Sequence, residues 1–170
     1  MEKIAKFHKV SHYQFERAWK DCFPKSTISQ IQNIYDDIKL PKRATSGSAG
    51  YDFFTPITFV LPPKESIKIP LGIRVEIAEG WVLQLHPKSS LGFKYRLQLD
   101  NTTGIIDSDY FASDNEGHIF VKLTNDSNHG KSVNVMVGEG ILQGIFLPYG
   151  ITTDDEASEK RNGGFGSTTK

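Results

Sequence analysis

The chain has 170 residues and a mass of 19.0 kDa, which fits one domain that buries about two-thirds of the surface its unfolded chain exposes. Lys plus Arg and Asp plus Glu each number 20, so the formal charge is zero and the basic footprint of a protein that binds long nucleic acids is excluded. Cys22 is the single cysteine, which excludes an internal disulfide, and the sequence shows neither a signal segment nor a long apolar run, so we expect a cytoplasmic protein without membrane contact.

The N-terminal residues predict an edge strand and two helices. Residues 1–10 alternate weakly between apolar and polar side chains, as an edge strand does. Ser11 and Gln14 have the spacing of a capping box, and Phe15 and Trp19 follow one helical turn apart. A second cap at Thr27 and Gln30 precedes apolar residues with helical spacing that end before Pro41, namely Ile28, Ile31, Ile34, Tyr35 and Ile38.

From Pro41 onward the pattern is that of an all-β protein. Short apolar or alternating runs are separated by Gly, Pro and Asn. The predicted strands are 57–61, 66–69, 73–77, 81–86, 119–123, 132–137 and 141–147. Strands this short, with no helices between them, favour a jelly roll or β-barrel over a parallel α/β sheet. We expect one domain over residues 1–153, with a helical insertion at 11–39, and a polar linker at 154–156 that begins an exposed C-terminal arm over 154–170.

Four segments carry groups that suit a nucleotide. Residues 47–52 place two glycines and Asp52 at the start of a strand. Residues 87–92 offer the charge of Lys88, the hydroxyls of Ser89 and Ser90, and successive backbone N–H groups, which fit a phosphate. Residues 101–110 place an expected hairpin glycine between an amide, a carboxylate and a phenol, which suits a nucleoside. In residues 161–170, three glycines, an arginine and a phenylalanine could close over phosphates and a base.

Together with residues 138–143, these segments resemble the five ordered motifs of the homotrimeric dUTP pyrophosphatase (dUTPase) family, over roughly residues 40–170. The resemblance implies a dUTPase-like jelly-roll subunit and a homotrimer with three active sites at the subunit interfaces. It also implies hydrolysis of dUTP to dUMP and pyrophosphate, assisted by Mg²⁺. The helical insertion and other departures from the family pattern indicate a divergent member of bacterial or phage type.

The third motif supplies the residues that the resemblance assigns to the nucleoside and to catalysis. Asp107 matches the carboxylate that orients and deprotonates the water attacking the α-phosphorus, whereas an arbitrary turn aspartate would cap its own backbone. Asn101 and backbone groups around Gly104 would face the uracil, and Ile106 belongs to the same substrate-binding segment. Tyr110 would pack against the deoxyribose and crowd a ribose 2′-hydroxyl.

The remaining motifs would hold the triphosphate. Lys88, Ser89, Ser90 and Gln143 would contact phosphates. In the arm, the resemblance implies that Arg161 clamps the γ-phosphate, Phe165 covers the uracil, and Gly166, Ser167 and Thr168 donate to phosphates. Mg²⁺ would be held by the phosphates and by water, with no direct protein ligand and with Asp52 as an indirect contact.

Several positions depart from the family pattern. Lys88 stands where arginine is usual, and an ammonium cannot reproduce a planar bidentate fork. Gly140 replaces a basic residue, the spacing from Arg161 to Phe165 is one residue short, and Phe111–Glu116 lengthen the turn after Tyr110.

Two functions other than that of a pyrophosphatase fit parts of the sequence. A dCTP deaminase has a similar fold and third motif but uses a glutamate as its proton carrier, and the position aligned on Asn125 is Lys122 here. A nucleotide-responsive regulatory protein would bind a repressor or another protein partner, with the two helices as its contact surface. The simpler interpretation, which we favour, is that the helices pack on the barrel.

Overall fold

The computed structural model of the chain describes residues 1–159 and 161. In order, its N-terminal half contains β1 (Ala5–Lys9), α1 (His12–Cys22), α2 (Ile28–Asp36), β2 (Lys42–Arg43), β3 (Tyr51–Phe54), β4 (Phe59–Leu61), β5 (Ser66–Pro70), β6 (Ile73–Ile77) and β7 (Trp81–Pro87). There follow α3 (Ser89–Tyr95), β8 (Leu97–Leu99), β9 (Gly104–Ile106), a 3₁₀ helix (Ser108–Ala112), β10 (Phe120–Asn125), β11 (Val133–Val135) and β12 (Gly140–Pro148). Within this part of the chain, no helix is long and apolar enough to cross a membrane.

The strands form the predicted all-β jelly roll. The largest sheet has the strand order β2-β3-β12-β7-β9, and a second sheet has the order β5-β10-β8. The pairs β1-β6 and β4-β11 are further two-stranded sheets, and all the pairings are antiparallel. The predicted strands are present with small shifts at their ends; for example, β4 begins at Phe59 and not at Ile57.

The helices share the core of the barrel. Phe15, Trp19 and Ile31 are at most 1% exposed and belong to the same buried cluster as Ile69 and Leu71. Gly72 has φ +70°, and a Cβ atom there would lie 2.3 Å from Cδ1 of Ile38, so a glycine is required where the end of the insertion meets the barrel. The packing interpretation is therefore confirmed for these residues. Ile28, although part of the predicted stripe, is 64% exposed because it lies at the first position of α2.

The two predicted capping boxes differ in outcome. Thr27 and Gln30 form the complete reciprocal box at the start of α2. At α1 the Ser11 hydroxyl accepts from the Gln14 N–H, but the Ser11 N–H donates to Glu116 instead of Gln14. The Gln14 side chain lies against His118. The prediction was therefore half wrong at α1, since a carboxylate distant in sequence replaces the local partner.

The predicted hairpin around Gly104 is also corrected by the topology. β8 pairs with β10, whereas β9 pairs with β7, so the turn at residues 100–103 connects two different sheets. Thr102, with φ +62°, and the N–H of Thr102 donating to the Leu99 carbonyl close this turn. The short helix α3 was not predicted, because seven residues that include Gly92 show no clear helical period.

Candidate active site

A cavity of about 380 Å³ opens beside the turn that connects β8 and β9. Its lining includes Asn101, Gly104, Ile106 and Tyr110 from the third motif, together with Lys122 and Arg161. Gly104 is buried, and a Cβ atom there would lie 3.1 Å from Cβ of Leu85, so the glycine lets β9 approach β7 closely. The structure therefore brings together the residues that were predicted to bind a nucleoside.

Asp107 lies immediately after β9, at the residue that precedes the 3₁₀ helix. Its backbone is extended there, yet its side chain makes no capping hydrogen bond to that helix. The carboxylate is 44% exposed and forms an ion pair with the Arg161 guanidinium. The capping alternative therefore does not describe Asp107, whose carboxylate contacts Arg161 and makes no cap hydrogen bond.

Tyr110 forms a buried wall of the cavity. Tyr110 is only 5% exposed, and its hydroxyl donates to the His118 carbonyl at 2.7 Å. Burial raises the pKa of the Tyr110 phenol above its ordinary value, against smaller opposing effects of the Asn115 hydrogen bond and the Arg161 charge. The phenol is therefore neutral at physiological pH and presents a ring to the cavity.

Arg161 lies across the mouth of this cavity. Its Nε donates to Oδ1 of Asp109 at 2.9 Å, its Nη2 donates to Asp107, and its Cζ lies 5.7 Å from the centre of the Tyr110 ring. The arginine thus contacts two carboxylates of the third motif in the same chain. Phe165, Gly166, Ser167 and Thr168, which were predicted to complete the arm's contacts, lie outside the described residues.

Asp52, Lys88 and Gln143 form a second cluster. Lys88 Nζ donates to Oδ2 of Asp52 at 2.8 Å, and Gln143 lies opposite Asp52 in the pairing of β12 with β3. A Cβ atom on Gly140 would lie 2.9 Å from Lys88 Nζ, so the glycine leaves the space through which the lysine reaches Asp52. Two departures from the family pattern, at positions 88 and 140, are therefore in direct contact.

Ser89 and Ser90 are exposed at the first turn of α3, directly after β7. Lys88 precedes them as the N-terminal flanking residue of the helix and makes no side-chain cap. The hydroxyls and the positive charge thus stand at the end of the strand that lies between β9 and β12. An anion bound at this position would lie close to β9 and β12.

The Asp52 cluster lies outside the nucleoside cavity. Asp52, Gln143 and His86 are directly opposite one another in the antiparallel ladder and so share one face of the large sheet. None of Asp52, Lys88 and Gln143 lines the cavity beside Gly104. Within one chain, the two predicted halves of the site are therefore separate.

Sequence reasoning did not identify Asp100 as part of the cavity lining. Its carboxylate accepts from Lys122 at 2.8 Å and from the Thr124 hydroxyl. Burial alone would raise the pKa of Asp100, but the hydrogen bonds from Lys122 and Thr124 outweigh it and lower the pKa. Asp100 follows β8, and Lys122 lies on β10, which pairs with β8 through Gln98 and Thr124. Their opposite charges were the signal from which this contact could have been predicted. Among the described residues, no three or more His, Cys, Asp or Glu side chains converge as a metal site.

Known proteins resemble this chain over most of its length. The sequence model of the dUTPase family matches residues 36–169. The deoxyuridine 5′-triphosphate nucleotidohydrolase of Lactococcus lactis subsp. lactis (strain IL1403) is 41% identical over 134 residues, covering 77% of this chain and 88% of the relative. That of Dictyoglomus turgidum (strain DSM 6724 / Z-1310) is 38% identical over 147 residues, covering 81% and 95%.

Solved structures give the same likeness. The dUTPase from Streptococcus mutans is 35% identical with a TM-score of 0.59, covering 66% of this chain and 88% of that one. A mutant dUTPase from phage phi11 of S. aureus, described with a coordinated structural Mg(II) ion, is 19% identical with a TM-score of 0.62 and covers 92% and 98%. The phage enzyme, at such low identity, supports the fold alone.

Proposed function

The chain belongs to the dUTPase family, and from this premise we propose that it hydrolyses dUTP to dUMP and pyrophosphate at sites shared between the subunits of a homotrimer. The observation that carries this proposal is the cavity in which Asn101, Gly104 and Tyr110 meet beside Asp107. The cavity is lined by residues of the segment 101–110, which the sequence analysis assigns to the nucleoside. The family match extends over the same residues.

Asp107 is proposed as the general base. An ionised carboxylate accepts but does not donate hydrogen bonds, so it can hold an attacking water with a lone pair directed at the α-phosphorus and take its proton. Tyr110 positions the deoxyribose, and Asn101 with the backbone near Gly104 reads the uracil edge. Binding the sugar beside the base couples recognition of the nucleoside to placement of the water.

Arg161 has two competing partners in this scheme. Its guanidinium forms ion pairs with Asp107 and Asp109. A triphosphate offers a bidentate anion of higher charge, so we propose that Arg161 leaves Asp107 for the γ-phosphate when dUTP binds. The carboxylate is then released to act on water, while Phe165 and the hydroxyls of Ser167 and Thr168 close over the substrate.

Lys88, Ser89, Ser90 and Gln143 are proposed to hold the phosphates from a neighbouring subunit. The support is that none of these residues lines the nucleoside cavity of the same chain. A Mg²⁺ ion bound to the phosphate oxygens would supply charge neutralisation there. The oxygens of Asp52 and Gln143 fit indirect contact through the ion's water shell, since Mg²⁺ prefers oxygen ligands and retains several waters.

The test is product identification with dUTP, dCTP and UTP in the presence of Mg²⁺. We expect dUMP and pyrophosphate from dUTP, with much slower turnover of UTP. Release of ammonia from dCTP would instead indicate the deaminase, in which a glutamate would be needed at the position of Lys122. That lysine is paired with Asp100 at 2.8 Å and cannot serve as a carboxylate proton carrier. Regulation of a repressor or another protein partner stays a prediction from the resemblance.

A further inference from the structure

The Tyr110 hydroxyl is fully engaged on the side of the ring away from the cavity. It donates to the His118 carbonyl at 2.7 Å and accepts from Nδ2 of Asn115 at 2.8 Å. A phenol has one proton to donate, so these two bonds use its donor and fix the direction of its oxygen. The ring that lines the cavity is therefore oriented by groups that do not themselves touch the cavity.

Asn115 belongs to the turn of residues 111–117, which contains the segment Phe111–Glu116 that sequence analysis identified as lengthening the turn after Tyr110. Its Oδ1 accepts from the N–H of Gly117 at 3.2 Å and from the Ser113 hydroxyl at 2.7 Å. Because the Gly117 N–H can only donate, the oxygen of Asn115 must face it and the amide nitrogen must face Tyr110. Gly117 has φ +67°, and a Cβ atom there would lie 2.7 Å from the Tyr110 carbonyl oxygen, so the turn folds tightly back on the tyrosine.

The outer end of this turn is anchored to the start of α1. The Glu116 carboxylate accepts from the Ser11 N–H at 2.7 Å and from the Ser11 hydroxyl at 2.5 Å. On the barrel side, the Arg74 guanidinium lies 3.6 Å from the centre of the Phe111 ring and donates to the Phe111 carbonyl. The turn is thus held between the helical insertion and β6, with Tyr110 at its base.

We propose that Asn115 and Glu116 are positioning residues that fix Tyr110 against the sugar and thereby set the preference for deoxyribose over ribose. This inference rests on the proposed function of the cavity. Asn115 acts directly on the tyrosine hydroxyl, and Glu116 acts by tying the turn to the Ser11 end of α1. The helical insertion and the lengthened turn are, on this view, one supporting structure for a wall of the active site.

The position of the tyrosine ring matters because the two sugars differ so little. A ribose differs from a deoxyribose by one hydroxyl, and a tyrosine ring excludes it only if the ring cannot move back. A ring held by two hydrogen bonds and a packed turn resists that movement, whereas a ring that has lost them can yield. The same loss affects dUTP less, because the deoxyribose does not press on the ring.

The experiment is a double-mutant cycle of Asn115→Ala and Tyr110→Phe, read as the ratio of kcat/KM for dUTP to that for UTP. We expect each single variant to lower the ratio about fivefold or more, since one hydrogen bond is worth about a factor of five. The double variant should lower it no further than Tyr110→Phe alone, because Tyr110→Phe removes both bonds of the hydroxyl, including the one that Asn115 makes. In Asn115→Ala the change should appear chiefly in KM for the two nucleotides, with kcat for dUTP largely kept.

Asp114→Ala is the matched control, since Asp114 is an exposed carboxylate in the same turn, and it should keep the wild-type ratio. Glu116→Ala tests the outer anchor and also serves if Asn115→Ala does not fold; we expect it to lower the ratio about threefold. A folded Asn115→Ala or Glu116→Ala variant with the wild-type ratio overturns the proposal. So does a double variant whose effect is the product of the two single effects.

The wild-type enzyme separates this inference from the proposed function. If wild-type protein does not turn over dUTP, the proposed function is wrong and the selectivity claim falls with it. If wild-type protein hydrolyses dUTP selectively and the Asn115 and Glu116 variants are equally selective, only the positioning role is wrong.

Discussion

At the scale of single residues, the decisive feature of Asp107 is what its side chain does not do. An aspartate before a helical turn ordinarily accepts from the first backbone N–H groups. Here the described chain shows no such bond, and the carboxylate meets a guanidinium instead. A cation that can be drawn away by phosphates leaves the carboxylate available to act as a base.

Replacing Asp107 with Asn tests that role. The amide keeps the size of the side chain but cannot take a proton, so turnover of dUTP should fall at least about a hundredfold, the lower end for loss of a general base. Binding of dUTP, measured by calorimetry, should be retained. Asp114→Asn is the control in an exposed position and should leave turnover unchanged. Normal turnover in Asp107→Asn would remove this residue from catalysis.

Gly140 and Lys88 show how two departures from a family pattern can depend on each other. Substituting Gly140 with Ala places a methyl carbon 2.9 Å from Lys88 Nζ, so the lysine must shift and its 2.8 Å bond to Asp52 should weaken. We expect stability to change by less than about 1 kcal/mol, because the pair is partly exposed. KM for dUTP should rise severalfold while selectivity against UTP is kept. Gly150→Ala, at a position with open space, is the control.

His118 makes the stability of the fold depend on pH. Burial lowers the pKa of its imidazole from 6.5 to about 3, and its Nε2 accepts from the Gly72 N–H. Between these two pKa values the unfolded chain binds a proton that the folded chain does not, so stability is present above pH 6.5 and is lost as the pH falls.

We therefore expect wild-type protein to lose about 1.4 kcal/mol more than His118→Gln in its free energy of unfolding between pH 7.5 and pH 5.5. Urea denaturation at the two pH values measures this difference, and the carboxylates common to both proteins cancel in it. Parallel pH dependence in the two proteins would show that His118 is not held neutral by burial.

At the scale of elements, the sequence predicted whatever is encoded by neighbouring residues. The complete cap at Thr27 and the strand of residues 73–77 are local patterns, and both appear as predicted. The partner of the Ser11 N–H is Glu116, 105 residues away, and no local rule could indicate it. The turn of residues 100–103 looked like a hairpin because turn chemistry is the same whether the two flanking strands pair with each other or with different sheets.

The same distinction between local patterns and distant contacts applies to the candidate site. The nucleoside residues were predictable because they lie within ten residues of one another, and the structure places Asn101, Gly104 and Tyr110 around one cavity. The contact between Lys88 and Gly140 was not predictable, since each departure looked independent in sequence. The roles of Phe165 and the following arm residues stay predictions, because they lie outside the described residues.

The helical insertion should be needed for a stable fold. Trp19 and Phe15 are at most 1% exposed and pack with the barrel. Trp19→Ala should therefore lower the free energy of unfolding by about 3–5 kcal/mol, as expected for a large aromatic side chain in a core. Tyr13→Ala, an exposed aromatic on the same helix, should change it by less than about 0.5 kcal/mol. Equal effects of the two substitutions on chemical denaturation would contradict the packing role.

At the scale of the whole molecule, the residues proposed to bind the phosphates stand apart from the cavity proposed to bind the nucleoside. None of Asp52, Lys88 and Gln143 lines the cavity beside Gly104 in the same chain. In the proposed trimer, a complete site therefore combines the cavity of one chain with the phosphate residues of another. Closed three-fold symmetry repeats such a shared site three times.

Mixing two inactive proteins tests this arrangement. One carries Asp107→Asn, and the other carries Lys88→Ala with Gln143→Ala, so each chain is defective in a different half of the site. In trimers reassembled from equal amounts, a site is intact when Asp107 comes from the second protein and the phosphate residues come from the first. Each of these two conditions is met with a chance of one half, so about a quarter of the sites are intact. We expect the mixture to recover about a quarter of wild-type dUTPase activity after unfolding and refolding together, and none when the proteins are refolded apart. If both halves of each site came from a single chain, no mixture could contain an intact site, and co-refolding would give only the summed activity of the two parents.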